Sequence, residues 1–497
     1  ITMASVRTAD EYGGVMSSDL CELTALELSE KIGSREVSPV EVIQAVQARL
    51  DETEPFLNAY ISRMDEEALA TAKAAESEIM AGNYRGPLHG VPVAIKDNIA
   101  VAGTMTTAGA KVLANNLTPD DAEVVRRLKA AGAVIVGKTN MSEMAASGRS
   151  TNVHYGNMRN PWGPNHDASG SSGGSAITVA ARQVPLALGT DAAGSVRMPA
   201  AACGIVGLKQ THGRVSTRGL IASQNVTGDH IGPFGRTVSD VALILETMAG
   251  YDPADPTTAD RPVPNYLGAL RTRLVDVTVG VSTNFFFDLL DPEVESATRT
   301  AISVLDQLGA KIVPVTIPGL EEFLASRIAL SAEGLALHDP YLKAHADLYG
   351  DELRRRLLAN YFISSRDLAR ANRIRRLLKE RFAAVFQEVD LLATPGFAIP
   401  AAKLTDEQVT VTDFRTGQQV TGAFMMPVIR MTALFNMTGL PAVNVPSGFT
   451  SAGLPTSLQL IARPFEEELL LGSAHAYEQV NQWYTRKAPY VTAAVTA

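Results

Sequence analysis

Two hydrophobic periodicities divide this chain. Over roughly the first 80 residues apolar positions recur at helical spacing: Ile43, Val46 and Leu50 form one stripe, headed by Ser38-Pro39-Val40-Glu41, a capping box with proline at the first helical position. From residue 88 onward short apolar runs alternate with amphipathic stretches. Val91–Ile95 and Ala133–Val136 read as buried strands. The helix between them opens at Thr118-Pro119-Asp120-Asp121 and carries Val124, Val125 and Leu128. Leu186–Leu188 predicts a further strand, and Thr237-Val238-Ser239-Asp240 caps a helix over Val241–Met248. A strand at Val277–Val281, a helix at Pro292–Leu308 and a strand at Lys311–Val315 follow. Residues 320–390 read as mostly helical, with Leu368, Ala371, Ile374, Leu378, Phe382 and Phe386 on one face. Strands return at Leu391–Thr394 and Ala442–Val445, and Leu469–Val480 reads as a late helix. Strand, helix, strand in this order predicts an α/β fold, a large buried sheet with helices on both faces.

Composition narrows the class. Of 497 residues, 46% are hydrophobic and 20% charged, an ordinary globular balance. A net charge of −9 favours solubility and disfavours a nucleic-acid-binding surface. With only two cysteines, Cys21 and Cys203, no disulfide framework is expected and a reducing, cytoplasmic setting is. Cys203, among Ala200, Ala201, Ala202 and Gly204, reads as a small core residue. Ile1–Arg7 lack the apolar stretch of a secretory signal, and no run approaches the length of about 18 apolar residues that a membrane span needs. Arg354, Arg355, Arg356, Arg373, Arg375 and Arg376 read as a solvated face. The eight histidines show no metal-ligand spacing, so neither metal nor cofactor is expected.

Three local patterns carry possible chemistry. Gly132–Thr139 spells a phosphate loop, but its middle residues are the strand itself, so their N–H groups belong to the sheet and nucleotide binding is rejected. The Gly/Ser run Ser169–Ser175 and the small-residue turn Gly189–Arg197 sit at the two ends of one compact unit. Folded together, they offer hydroxyls and unshielded N–H groups to one point, as attack on a carbonyl carbon requires. Within the first run Gly170-Ser171-Ser172-Gly173-Gly174 also matches the nucleophile elbow of α/β-hydrolases, with Ser172 as nucleophile and His338, His345 and His475 as the available bases. Finally, Val93–Asn98 ends an apolar strand in Lys96, a costly residue there unless it faces a polar site. Asp97 is adjacent, so its side chain points to the opposite face and cannot readily pair with Lys96.

Lys96 within its strand, Ser169–Ser175 and Gly189–Pro199 together resemble the amidase signature family, as do Gly137–Glu143, Cys203–Lys209, Gly232–Arg236 and Gly439–Ala442. The match is dense from about residue 85 to 250 and 436 to 480. The resemblance implies an α/β amidase-signature fold with a large mixed central sheet in a single domain over residues 1–497. Its parts would be a helical portion at 1–80, a catalytic core at 81–283 and 431–490, and a variable, largely helical, substrate-facing segment at 284–430. It also implies a Ser–cis-Ser–Lys triad: Ser195 as nucleophile, Ser171 in a cis peptide as proton relay, and Lys96 as base. The N–H groups of Ala192, Ala193, Gly194 and Ser195 would stabilise the oxyanion. Asp191 and Arg197 would form a buried pair holding the turn, with Ser172 supporting the relay serine. Two departures stand out: Ser169-Gly170 and Ala193-Gly194 replace the family's usual Gly-Gly pairs, and the Ala193 Cβ narrows the approach to the turn.

The activity this implies is hydrolysis of linear amides, with anilide, urethane and ester cleavage alongside. One branch of the family, the A subunit of glutamyl-tRNA amidotransferase, releases ammonia from glutamine and carries an acid ahead of Gly-Leu-Pro-Ala to hold the glutamine amine. Phe424–Leu434 contains no acid. Phe424, Met425, Met426 and Ile429, with Ala145 and with Phe285, Phe286 and Phe287, suggest an adaptable apolar pocket instead. The expected substrate is therefore a small hydrophobic or aryl amide, anilide or carbamate. The expected partners are that small molecule alone, without nucleic acid or membrane, the chain being a monomer or homodimer. The amidotransferase component is the alternative.

Overall fold

The computed structural model describes residues 20–222 and 226–490, so the reading of Ile1–Arg7 lies outside the described residues. Its centre is an 11-stranded sheet. In chain order the strands are β1 (Tyr60–Arg63), β2 (Pro92–Lys96), β3 (Val134–Thr139), β4 (Leu186–Thr190), β5 (Val206–Lys209), β6 (Ile231–Gly235), β7 (Thr278–Ser282), β8 (Lys311–Val315), β9 (Leu391–Pro395), β10 (Ala442–Phe449) and β11 (Pro455–Ala462). Their order across the sheet is β1-β3-β2-β4-β6-β5-β10-β11-β9-β7-β8. β3, β2 and β4 run parallel, as do β9, β7 and β8, whereas β4, β6, β5, β10, β11 and β9 pair antiparallel in turn. The sheet is therefore mixed. β2, β3, β4, β5, β6 and β9 are buried along their whole length, which is why the strands read from the sequence, in β2, β3, β4 and β9, show as apolar runs without alternation.

Helix ends follow local chemistry. Ser38 and Glu41 close a capping box on helix Pro39–Leu57, and Thr237 and Asp240 close another on Val238–Met248. The expected start at Thr118 fails, because that helix is Glu123–Ala130 and has no side-chain cap. Thr118 instead bonds the Val101 carbonyl, and Asp121 takes the Ala102 N–H and Lys129. The first 80 residues are not wholly helical either: Tyr60–Arg63 is an edge strand on β3. Within 284–430 a hairpin, Gln408–Asp413 with Gln418–Ala423, interrupts the helices.

One core runs from Leu20 to Ala488 and joins the terminal helices to the sheet, with Cys21 and Cys203 both buried and free. Two satellite clusters position the site. Met141 and Met144 pack with Leu342, Leu353 and Leu357, while Met198 packs with Phe397, Phe424 and Val428. Segment 284–430 is thereby fixed against the ends of β2 and β4. Among the described residues no helix is long and apolar enough to cross a membrane.

Candidate active site

Strands β2 and β4 are parallel neighbours in register, Ile95 beside Leu188, so their C-terminal residues Lys96 and Thr190 emerge together. Lys96 is fully buried, and its Nζ lies 2.7 Å from both Ser171 Oγ and Thr190 Oγ1. Burial lowers the Lys96 pKa from 10.5 to about 7, against the opposing pull of the Asp229 and Asp191 carboxylates. Nζ donates to both hydroxyl oxygens, and in its neutral form the amine has a lone pair that can accept a hydroxyl proton. Asp97 is absent from this cluster. It turns away to Lys138, 3.3 Å off and equally buried, and accepts the Thr107 N–H.

Ser171 is the third residue of the Gly/Ser run, and the Gly170–Ser171 peptide is cis. Gly170 is required there because a Cβ would strike the carbonyls of Arg149 and Ser147. The next serine is committed elsewhere: Ser172 Oγ donates to the Thr190 carbonyl and accepts the Thr190 N–H, both at 3.2 Å, tying the two turns together. Ser172 is fully buried. His338 bonds Tyr349, and His475 bonds the Arg271 carbonyl. Ser172 Oγ is thus spent on the Thr190 backbone, and among the described residues no histidine, His345 included, is hydrogen-bonded to it as a nucleophile elbow requires.

The second turn follows β4. Ser195 is 9% exposed and faces a cavity of about 590 Å³. Among the described residues a hydrogen bond joins Lys96 to Ser171, and none joins the Ser195 and Ser171 hydroxyls. Asp191 organises the turn: Oδ1 accepts the Gly194 N–H at 2.6 Å, and Oδ2 accepts those of Val196 and Arg197 at 3.2 and 3.4 Å. The Gly194 N–H, expected among the oxyanion donors, is therefore occupied. Gly194 itself has φ +125°, and a Cβ on it would strike Thr432 Oγ1. Ala193 has no such positive φ, so its methyl group is tolerated. Arg197 bonds both oxygens of Asp191 at 3.1 Å, with neither side chain exposed, and reaches Asn436 Oδ1 and Gln459 Oε1. Burial alone would raise the Asp191 pKa; the Arg197 charge outweighs it and holds the carboxyl far below its usual range.

Sequence reasoning missed part of this frame. Thr432 donates to the Ala193 carbonyl at 2.6 Å, and Asn436 donates to the Asp191 carbonyl at 2.8 Å. These two residues, one helical turn apart, lie more than two hundred positions downstream, and only their shared spacing of four hints at a common face. A further buried lysine, Lys209, bonds the Gln210 carbonyl at 3.1 Å and lies 3.4 Å from His230. Thr190 sits inside the second turn motif and carries no signal of its own there.

Ala145, Phe424, Met425 and Ile429 line the Ser195 cavity together with Met198. Met426 does not; its side chain lies over Gly422 of the hairpin. Phe285, Phe286 and Phe287 are core residues, with Phe286 stacked on Phe435. Charge enters the cavity where the sequence pattern shows none: Arg327, Glu352, Arg356 and Glu407 all face it. Arg356, a solvated residue by its sequence pattern, donates to the Ala146 carbonyl.

The amidase family profile matches residues 41–471. The A subunit of the glutamyl-tRNA(Gln) amidotransferase of Chloroflexus aggregans is 40% identical over 495 residues, covering 95% of this chain and 99% of that one. A chain of a vestigial protein complex tied to the origins of an s-triazine catabolic enzyme superposes with TM-score 0.86 at 32% identity, covering 92% of this chain and 98% of that one. A bacterial aryl acylamidase of the amidase signature enzymes superposes with TM-score 0.84 at 27% identity, covering 93% and 97%. One expectation falls with these findings. Relatives this similar are named as subunits of an amidotransferase for a tRNA, so a small molecule as sole partner of a monomer or homodimer does not stand. The profile match over most of the chain, the near-complete alignment to these relatives and the shared fold leave one assignment: the chain belongs to the amidase family, the amidase signature enzymes that hydrolyse carbon–nitrogen bonds.

Proposed function

We propose that the chain cleaves the carbon–nitrogen bond of a small amide through an acyl-enzyme on Ser195. The observation that carries this reading is the 2.7 Å approach of a buried lysine, its pKa near 7, to Ser171 Oγ beneath the turn bearing Ser195. Neutral Lys96 takes the Ser171 proton, Ser171 takes that of Ser195, and Ser195 attacks the carbonyl carbon. With the Gly194 N–H bound to Asp191, the oxyanion donors we propose for this turn are the N–H groups of Ala192, Ala193 and Ser195. Ser171 then protonates the leaving nitrogen, which cannot depart as an anion. Water, deprotonated along the same relay, releases the acyl group and restores the Ser195 hydroxyl.

The substrate reading favoured by the relatives is an amide with charges at its far end, as in glutamine, cleaved by a chain that works with companion subunits. The cavity adds support. Arg327 Nε is buried without a hydrogen-bond partner, a donor that a substrate carboxylate satisfies, while Glu352 and Glu407 supply acids that the 424–434 segment lacks. A second reading rests on the opposite wall: Met198, Phe424, Met425 and Ile429 suit a hydrophobic or aryl amide, anilide or urethane, and the likeness to the aryl acylamidase points the same way.

A four-substrate panel separates the two: L-glutamine, an uncharged alkyl amide, an anilide and an aryl carbamate, assayed for ammonia, aniline or phenol. On the first reading glutamine is turned over. Arg327→Met and Arg356→Met then each raise its KM about tenfold, the value of a lost charge-assisted bond, and leave kcat on the uncharged amide unchanged. Turnover of anilide or carbamate with glutamine untouched selects the second reading, and failure on all four removes both.

A further inference from the structure

A second cavity, of about 430 Å³, lies at the C-terminal end of the helix Ala433–Thr438, whose residues brace the turn bearing Ser195. Its floor is apolar: Phe382, Phe386 and Leu440 are buried there beside Phe465. Lys379 stands on its wall with no hydrogen bond or ion pair among the described residues. The other wall cation, Arg463, is already engaged by the carbonyls of Phe386 and Val389 and by Asp390. An apolar floor of this volume with one unanswered ammonium suits a small ligand with an aromatic or aliphatic body and a single negative end.

We propose that this cavity binds a small apolar carboxylate, and that its occupancy is felt at Ser195. Thr438, Gly439 and Leu440, which line it, end the helix Ala433–Thr438. The same helix holds the turn, through its N-cap Thr432 on the Ala193 carbonyl and through Asn436 within it on Asp191. His212, also in the lining, donates its N–H to the Gly439 carbonyl and meets the His230 ring edge-on at 5.4 Å. The Nδ1 of His230 lies 3.2 Å from the Asp191 carbonyl. A ligand packed on Leu440 and His212 therefore presses on two supports of one turn. This route does not depend on which amide the enzyme cleaves.

The probe is 2-naphthoate, titrated by equilibrium dialysis against the full chain, with 2-naphthalenemethanol as its uncharged counterpart. The expected result is one saturable site for the acid, with the alcohol and Lys379→Glu each weakening it about tenfold, as loss of a charge-assisted contact does. Ala383→Trp, which fills the cavity from its exposed rim, abolishes binding. Both variants keep wild-type turnover in the absence of probe, which shows that they are folded. Saturating naphthoate changes kcat on a reporter amide and leaves KM alone. The proposal is overturned if no binding is found, if binding is indifferent to both variants, or if naphthoate raises KM only and so competes in the Ser195 cavity. Binding at the expected site with kcat untouched overturns the coupling to Ser195.

Discussion

Lys96→Ala lowers kcat on any amide the enzyme accepts by about 10⁴-fold, the usual consequence of losing the base of a nucleophilic triad, and leaves the fold intact. The expectation rests on position. Lys96 Nζ touches only the hydroxyls of Ser171 and Thr190, so removing it deletes the proton acceptor without orphaning a carboxylate. Lys96→Arg is equally inactive, because guanidinium keeps its charge and offers no lone pair. The same lysine sets the pH profile. Only its neutral form accepts a proton, so kcat/KM rises with pH through about 7 and levels above it. A plateau already reached below about pH 6 contradicts a lysine base. Stability follows with a definite sign. The folded pKa lies below the unfolded value of 10.5, so between about 7 and 10.5 the unfolded chain binds the extra proton and stability increases with pH. Lys96→Ala loses that rise. Calorimetry at pH 7 and pH 9 on both proteins checks it.

Arg197→Met destabilises the protein by roughly 3–5 kcal/mol, the cost of leaving a buried ion pair with one partner. The guanidinium answers Asp191, Asn436, Gln459 and the Thr432 carbonyl at once, none of them in contact with water through it. Asp191 is then a buried carboxylate held only by Asn436 and three backbone N–H groups. Its pKa rises toward the normal range and the turn carrying Ser195 loosens, so stability and kcat fall together. Arg197→Lys rescues neither fully, since an ammonium cannot fork to both oxygens of Asp191. Thermal unfolding that matches wild type in Arg197→Met contradicts the role given to this pair.

Lys96 is legible in the sequence because an ionisable residue ending an apolar strand has few reasons to be there, and Asp97 because alternation forces it to the other face. The two small-residue turns are legible for the same kind of reason: Gly170 and Gly194 sit where a Cβ meets a backbone carbonyl or Thr432. What stays hidden depends on chain segments that meet only after folding. Thr432 and Asn436 look like ordinary helix residues until folding sets them against the carbonyls of Ala193 and Asp191. The Gly194 N–H is misassigned from sequence because a turn of small residues offers several donors, and nothing in the chain says which one Asp191 takes. Arg356 shares an amphipathic pattern with true surface arginines, and only the packing of Leu342, Leu353 and Leu357 on Met141 and Met144 turns it toward the cavity. The strands Val206–Lys209 and Ile231–Gly235 escape a sequence reading because they are short or broken by glycine and proline, and Pro455–Ala462 because Thr456, Ser457 and Gln459 interrupt its apolar positions although it is buried throughout.

The central claim is that Ser195 carries the acyl group under the control of an uncharged Lys96. The most direct measurement is the mass of the intact protein after brief exposure to a turned-over amide at pH 8, followed by peptide mapping. The expected result is one acyl increment on the peptide bearing Ser195, absent in Ser195→Ala and formed far more slowly in Lys96→Ala. An adduct on Ser172 or any other residue, or undiminished turnover by Ser195→Ala, contradicts the account.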